Sequence, residues 1–170
     1  MRFVVTAEWN RNRLLQVIAL LYSGYVALLV VSNFLLYFEK MSLAPASVVA
    51  HYLGNEAEFR APQSYQGMLE LSHFHIFAVG MLLMVLTHLM LFIPVSGKAK
   101  AWLIAVPFLA GFVNEISGWL VRFVSPNFAI VKVAGFLLLQ GSLIALVIIS
   151  VWSVFTKSQA ENYTGFVDDD

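Results

Sequence analysis

The chain has 170 residues, 60% of them hydrophobic and only 12% charged, with a formal net charge of zero, no cysteine and a mean hydropathy of +0.80. Soluble domains run nearer to about 45–50% apolar and about 25% charged, so the composition names lipid as the solvent. The zero net charge gives no sign of a nucleic-acid partner, and the lack of cysteine excludes disulfides, Fe–S clusters and thiolate chemistry.

Met1 to Arg13 sets Arg2, Arg11 and Arg13 against Glu8 and reads as a short cytoplasmic leader. The first apolar run, Leu14 to Phe38, contains no Asp, Glu, Lys or Arg. It exceeds the roughly 20 residues that cross a bilayer. It is too long for a signal-peptide core, and no small-residue cleavage site follows it, so it is expected to be retained. Glu39-Lys40 and then Pro45 close it.

A loop from Glu39 to about Leu69 comes next. Ser47 to Leu53 reads as a short helix lying on the membrane surface, and Gly54, Pro62 and Gly67 punctuate the remainder. This loop carries His51 beside the acids Glu56 and Glu58, and Glu70 follows it. Loops of such length in compact proteins are often functional.

The second span lies at about residues 70–94; its run from Leu71 to Gly97 contains no Asp, Glu, Lys or Arg yet holds His73, His75 and His88. The third, at about 101–124, is interrupted by Glu115, and the fourth, at about 127–156, by Lys132. The tail 158–170 is polar, ends in three aspartates and is expected to be disordered. Only helices or closed barrels satisfy backbone polar groups in hydrocarbon, and these runs are too long and uniform for barrel strands. The expected fold is all-α: one integral membrane four-helix antiparallel bundle over residues 1–157, with one long outer loop between the first two spans. The short links after the second and third spans make spans two, three and four antiparallel neighbours.

Orientation follows lysine and arginine. With the N-terminus inside, six of these residues are cytoplasmic (Arg2, Arg11, Arg13, Lys98, Lys100, Lys157) and four are outside (Lys40, Arg60, Arg122, Lys132). This predicts a multi-pass protein of an inner or plasma membrane with both termini cytoplasmic.

In that topology the polar groups converge near the outer face. His73 and His75 fall in the first turn of the second span, Asn114 and Glu115 in the outer half of the third, and Lys132 about two turns into the fourth. Asn33 lies near the outer end of the first. A charge at the bilayer centre costs about 2.5–3.5 kcal/mol on insertion scales, so Glu115 and Lys132 are expected to pair across the last hairpin. The functional reading makes Glu115 a proton or quinone-hydroxyl partner in a small polar cavity.

At about 100° per residue, Glu70, His73, Phe77, Met81, Met84 and His88 form one stripe of the second span. His75 lies on the opposite side. His73 and His75 share a ligand only if the first turn is extended. His73 and His88 stand about 22 Å apart along a helix, so they suit two sites and not one. His51, His73 and His75 beside Glu70 form a candidate metal set, since imidazole plus carboxylate suits zinc, copper or iron. The methionines read as adaptable filler. Gly24, Gly80, Gly111, Gly118 and Gly135 read as sites of close helix approach.

The four-helix plan and the second-span histidines resemble small four-helix membrane b-type cytochromes and the membrane-anchor subunits of quinone-linked respiratory complexes. The resemblance implies haem b on the second-span histidines His73, His75 or His88, and a single haem held by His73 or His75 would take His51 as its second ligand. It departs from the family pattern in having no histidine on the other three spans. A haem would then need His51, a homodimer or a partner membrane subunit. The expected function is an integral membrane subunit of an electron-transfer system, binding haem b or another metal near the outer face, with a quinone-like ligand near Glu115 and Lys132. Two other classes fit the same composition: a non-catalytic scaffold with no cofactor, and a small ion or metal transporter. The sequence does not say whether the protein is an enzyme.

Overall fold

The computed structural model describes residues 13–91, 93 and 95–155. The leader and the acidic tail lie outside these residues. Among the described residues there are five α-helices and no strand: α1 (Arg13–Lys40), α2 (Pro45–Leu53), α3 (Tyr65–Met90), α4 (Gly97–Phe123) and α5 (Ala129–Phe155). Four of them, α1, α3, α4 and α5, are long and apolar enough to cross a membrane.

Local chemistry sets the helix ends. Ser64 caps α3, its Oγ accepting the Gly67 N–H at 3.1 Å. This starts the helix at Tyr65, earlier than the apolar run alone suggests. His73 and His75 therefore stand in the third turn and not the first, on regular helix, where two residues two apart face away from each other. Ser96 caps α4 in the same way, and Lys100 Nζ donates to the Leu91 carbonyl at 2.7 Å, closing the end of α3. These side chains satisfy some of the backbone groups that helix termini leave unpaired.

Helices α3, α4 and α5 pack as consecutive antiparallel neighbours, with the most extensive contact between α4 and α5, while α1 lies against α5. Ala19 and Val154 meet at one end of the bundle. Tyr37 stacks on Phe136 at 3.9 Å between ring centroids at the other. The start of α1 and the end of α5 are thus on the same side. Val26, Val30, Leu83, Leu86, Met90, Leu139, Leu143 and Leu146 fill the centre. A wide apolar exterior surrounds this thin core, with Leu14, Tyr25, Leu28, Phe74, Phe77, Trp102 and Ile148 all exposed. That is the inverse of a soluble protein and the surface lipid requires.

Two close approaches shape the bundle. A Cβ built on Gly135 of α5 would stand 3.0 Å from both the N and Cα of Asn114 on α4. One built on Gly118 of α4 would stand 2.7 Å from the Tyr52 hydroxyl of α2. Small residues at these points let a backbone, or an aromatic from a neighbouring helix, come near. Helix α2 is accordingly tucked against α4 and α5 at the end of the bundle, with Val48 fully buried, and is no free surface helix. Gly54 ends it at φ 87°, a conformation that favours glycine.

Gly135→Ala is expected to lower the thermal midpoint in detergent, because the α4 backbone must move; overpacking of this kind costs about 1–3 kcal/mol. Gly141→Ala, with nothing within 4 Å of the added carbon, should leave the midpoint unchanged. Equal midpoints for the two variants would refute the close α4–α5 contact.

Candidate functional site

A cavity of about 520 Å³ opens at the α2 end of the bundle, walled by all four long helices and roofed by α2. Its polar groups come from every wall: Asn33 and Tyr37 from α1, His51 and Tyr52 from α2, Ser72 and His75 from α3, Asn114, Glu115 and Trp119 from α4, and Lys132 and Gln140 from α5. Towards the bundle centre the walls become apolar, with Val79, Leu83, Phe108, Gly111 and Leu139.

Lys132 and Glu115 both reach this cavity, but each has a different partner. Lys132 Nζ donates to the backbone oxygen of Asn114 at 2.8 Å and to its side-chain Oδ1 at 3.0 Å. Glu115 Oε2 lies 3.5 Å from His75 Nδ1, within ion-pair range when the imidazole is protonated. The reason is the helical step. Asn114 and Glu115 are consecutive and diverge by about 100°. The Asn114 side of α4 meets α5 through Gly135, while Glu115 reaches the α3 histidine. An ammonium has three donors, and two are committed to Asn114. Two arrangements result, one a donor cluster and the other an imidazole–carboxylate pair.

The roof is held by hydrogen bonds. The Gln63 N–H donates to the Tyr52 carbonyl at 3.1 Å, Gln63 Nε2 to the His51 carbonyl at 3.4 Å, and Arg122 Nε to the Gln63 carbonyl at 2.9 Å. Arg122 thereby ties the loop to the end of α4. On the α3–α4 wall, Trp119 Nε1 donates to Ser72 Oγ at 2.8 Å. Burial raises the Tyr52 phenol above its ordinary pKa, and the nearby Glu115 and Tyr37 add to this. Its hydroxyl stays protonated. Burial lowers the His51 imidazole below its ordinary value, with the positive charges of Lys40, Arg60 and Lys132 acting in the same direction.

The histidines divide. His51 and His75 line the cavity. His73 is exposed on the outer side of α3, its ring 5.8 Å from that of Phe74. His88 is also exposed, near the far end of α3. Glu70 is exposed and accepts a hydrogen bond from Gln66 at 2.9 Å. Among the described residues no three His, Asp or Glu side chains come together as a metal-ligand set. The grouping of His51, His73, His75 and Glu70 is therefore not assembled: on a regular α3, His73 and Glu70 lie in the outer exposed row, while His75, itself about half exposed, borders the cavity beside Glu115. Tyr52, Trp119, Ser72 and Gln140 belong to the cavity without having stood out in the sequence. Only Gln140 left a readable signal there, an amide in a largely apolar run, four residues after Phe136 and eight after Lys132.

His51 supplies a pH test. The folded state takes up a proton at His51 less readily than the unfolded chain, whose imidazole titrates near its ordinary value of 6.5. Docking of α2 should be strongest above about pH 6.5 and weaken as pH falls below it, because the folded state binds fewer protons. Hydrogen-exchange protection of the α2 amides should drop between about pH 7.5 and 5.5, and His51→Gln should flatten that change. Protection that rises on acidification would overturn the assignment.

Residues 42–161 match the model of a family described as a transmembrane helical domain. No curated protein and no solved structure matches the chain.

Proposed function

This chain belongs to the Aq_1264_TM family of transmembrane helical domains, and from that premise we propose that it is a membrane subunit of an electron-transfer system that holds a quinone-like amphipathic molecule in the cavity under α2. The observation that carries this reading is the polarity of that cavity. Hydrogen-bonding groups gather at one end, and apolar walls continue towards the bundle centre. Its volume lies in the range of small-molecule sites, roughly 300–1,000 Å³. Leu36, Leu71 and Ile76 line it and are also exposed on the exterior, so a molecule dissolved in lipid has a lateral way in.

Each polar group has a role in this reading. Lys132, anchored on Asn114, points its remaining donor at a ligand oxygen. His75 exchanges a proton with a ligand hydroxyl, and Glu115 orients the imidazole and balances its charge. Tyr52, as a protonated phenol at the roof, keeps water out of the apolar part. Haem b is a second reading, favoured by the fact that His51 and His75 both line the cavity. A scaffold role draws instead on the outward stripe of Glu70, His73 and His88 on α3, which would meet a partner membrane subunit or a second copy.

Trp119 on the cavity wall provides the readout. Titrating the purified chain with a short-chain benzoquinone should quench part of the tryptophan emission saturably, and Trp119→Phe should remove that part. His75→Ala and Lys132→Met should each weaken binding about tenfold, equivalent to about 1.4 kcal/mol. His73→Ala, on the outer side, should not change it. Absence of saturable quenching would reject the quinone reading. A dithionite-reduced α-band with a shifted Soret peak in the same sample would give the cavity to haem b instead.

A further inference from the structure

Two lysines stand on the cavity wall, Lys40 at the end of α1 and Lys132 on α5, against a single carboxylate, Glu115. Glu115 is engaged by His75, its Oε2 lying 3.5 Å from the imidazole Nδ1. Neither lysine has a carboxylate within ion-pair range among the described residues. Asn114 holds the Lys132 ammonium through two oxygens, but both are neutral and leave its charge uncancelled. An unbalanced charge within a membrane protein is costly and is by default a functional candidate. The described walls carry no second anion to balance it.

Positive charge also reaches the roof. Arg60 Nη1 donates to the Lys40 carbonyl at 3.4 Å, which brings a guanidinium to the end of α1. Glu58 lies 3.3 Å from its Nη2. His51 registers these charges: burial lowers its imidazole pKa most, and Lys40, Arg60 and Lys132 lower it further.

The same cavity is placed to receive a molecule from lipid. Helix α1 packs on α5, and α3 packs on α4 and α5, without an extensive contact between α1 and α3. Of the polar side chains that line the cavity, Lys40 and His75 are the exposed ones, one on each of these two helices. A head group entering between α1 and α3 meets Lys40 on one side and His75 on the other, with Lys132 on the α5 wall. Val79, Leu83 and Leu139 offer an apolar lining to a chain attached to it.

We propose that the cavity binds an amphipath with one anionic head, a carboxylate or a phosphate, held by Lys40 and Lys132, with its alkyl chain on the apolar wall. Charge selects the anion: a neutral, zwitterionic or cationic head would leave both ammonium groups unbalanced. Hydrogen bonds from an ammonium to a carboxylate or phosphate are also roughly twice as strong as neutral ones. This ligand differs from the neutral ring of a quinone and competes with it for space. Its binding stands or falls independently of electron transfer.

The test uses the full chain in nanodiscs of phosphatidylcholine, where long-chain probes partition into the lipid and mole fraction sets their concentration. A long-chain carboxylate with a mid-chain diazirine is photolysed, and the labelled peptides are mapped by mass spectrometry. Unlabelled carboxylate, monoalkyl phosphate and carboxylate methyl ester of equal chain length then compete. The carboxylate or the phosphate should displace label from the cavity wall at a mole fraction about tenfold lower than the ester, as one charge-assisted hydrogen bond allows. Lys40→Met combined with Lys132→Met should remove that preference and leave displacement by the ester unchanged. A stronger carboxylate identifies a free fatty acid, and a stronger phosphate a lipid head group; either supports the site. Equal displacement by acid and ester in the wild type overturns it, and that comparison needs no variant. Labelling absent from the cavity wall overturns it too, as does a preference that survives in the folded double variant. Saturable quenching by benzoquinone in the same preparation would leave the quinone reading standing when this one fails.

Discussion

Gly135 brings the backbone of α5 against the backbone of α4 at Asn114, and the arrangement of the site depends on that contact. A larger residue would hold the two helices apart by the width of a side chain. The closeness sets the register of the hairpin: it places the Asn114 carbonyl and amide oxygens where Lys132, three residues before Gly135, can donate to both. A lysine in a membrane span is costly when bare. Here two oxygens of one residue solvate the ammonium, and it needs no carboxylate to be held.

That solution leaves the carboxylate free for another partner. Glu115 turns to α3 and meets His75. Had the α4–α5 contact been looser or shifted by one residue, a Glu115–Lys132 pair would have been the cheaper way to hold both charges, and the cavity would have lost its two separate polar features. The tight seam between α4 and α5 leaves the opposite side, between α1 and α3, more open. Helix α2 roofs the space, seating Tyr52 against Gly118 and tied through Gln63 to Arg122. Gly118 and Gly135 allow the close contacts of the α4 and α5 walls with α2 and with each other.

Helix α3 shows how a single helix presents two chemistries. Its inner face gives Ser72 and His75 to the cavity, and Leu83 and Leu86 to the core. Its outer face sets Glu70, His73, Phe77, Met81, Met84 and His88 in one exposed row. The stripe follows from the 100° step and was legible in the residue order. Which stripe faced in was not, because both faces are apolar enough between their polar groups. The same step rules out a shared ligand set for His73 and His75 once Ser64 is seen to start a regular helix well before them.

The residue order by itself determined the solvent, the number of spans, their antiparallel sequence from α3 to α5, and the gathering of polar residues at the end that bears the long loop. These follow from length, apolar composition and short connections, which act locally along the chain. It also singled out Glu115, Lys132, His51 and His75 as residues too polar for hydrocarbon. Only the tertiary structure decided their partners, because a pairing between helices depends on register and rotation to within one residue. It decided that Lys132 takes Asn114, that Glu115 takes His75, that α2 is a roof and not a surface float, and that Gln140 is buried with an unmet oxygen. Each is settled by where two helices touch, and at Gly135 the approach is so close that a residue with a Cβ would require the α4 backbone to give way.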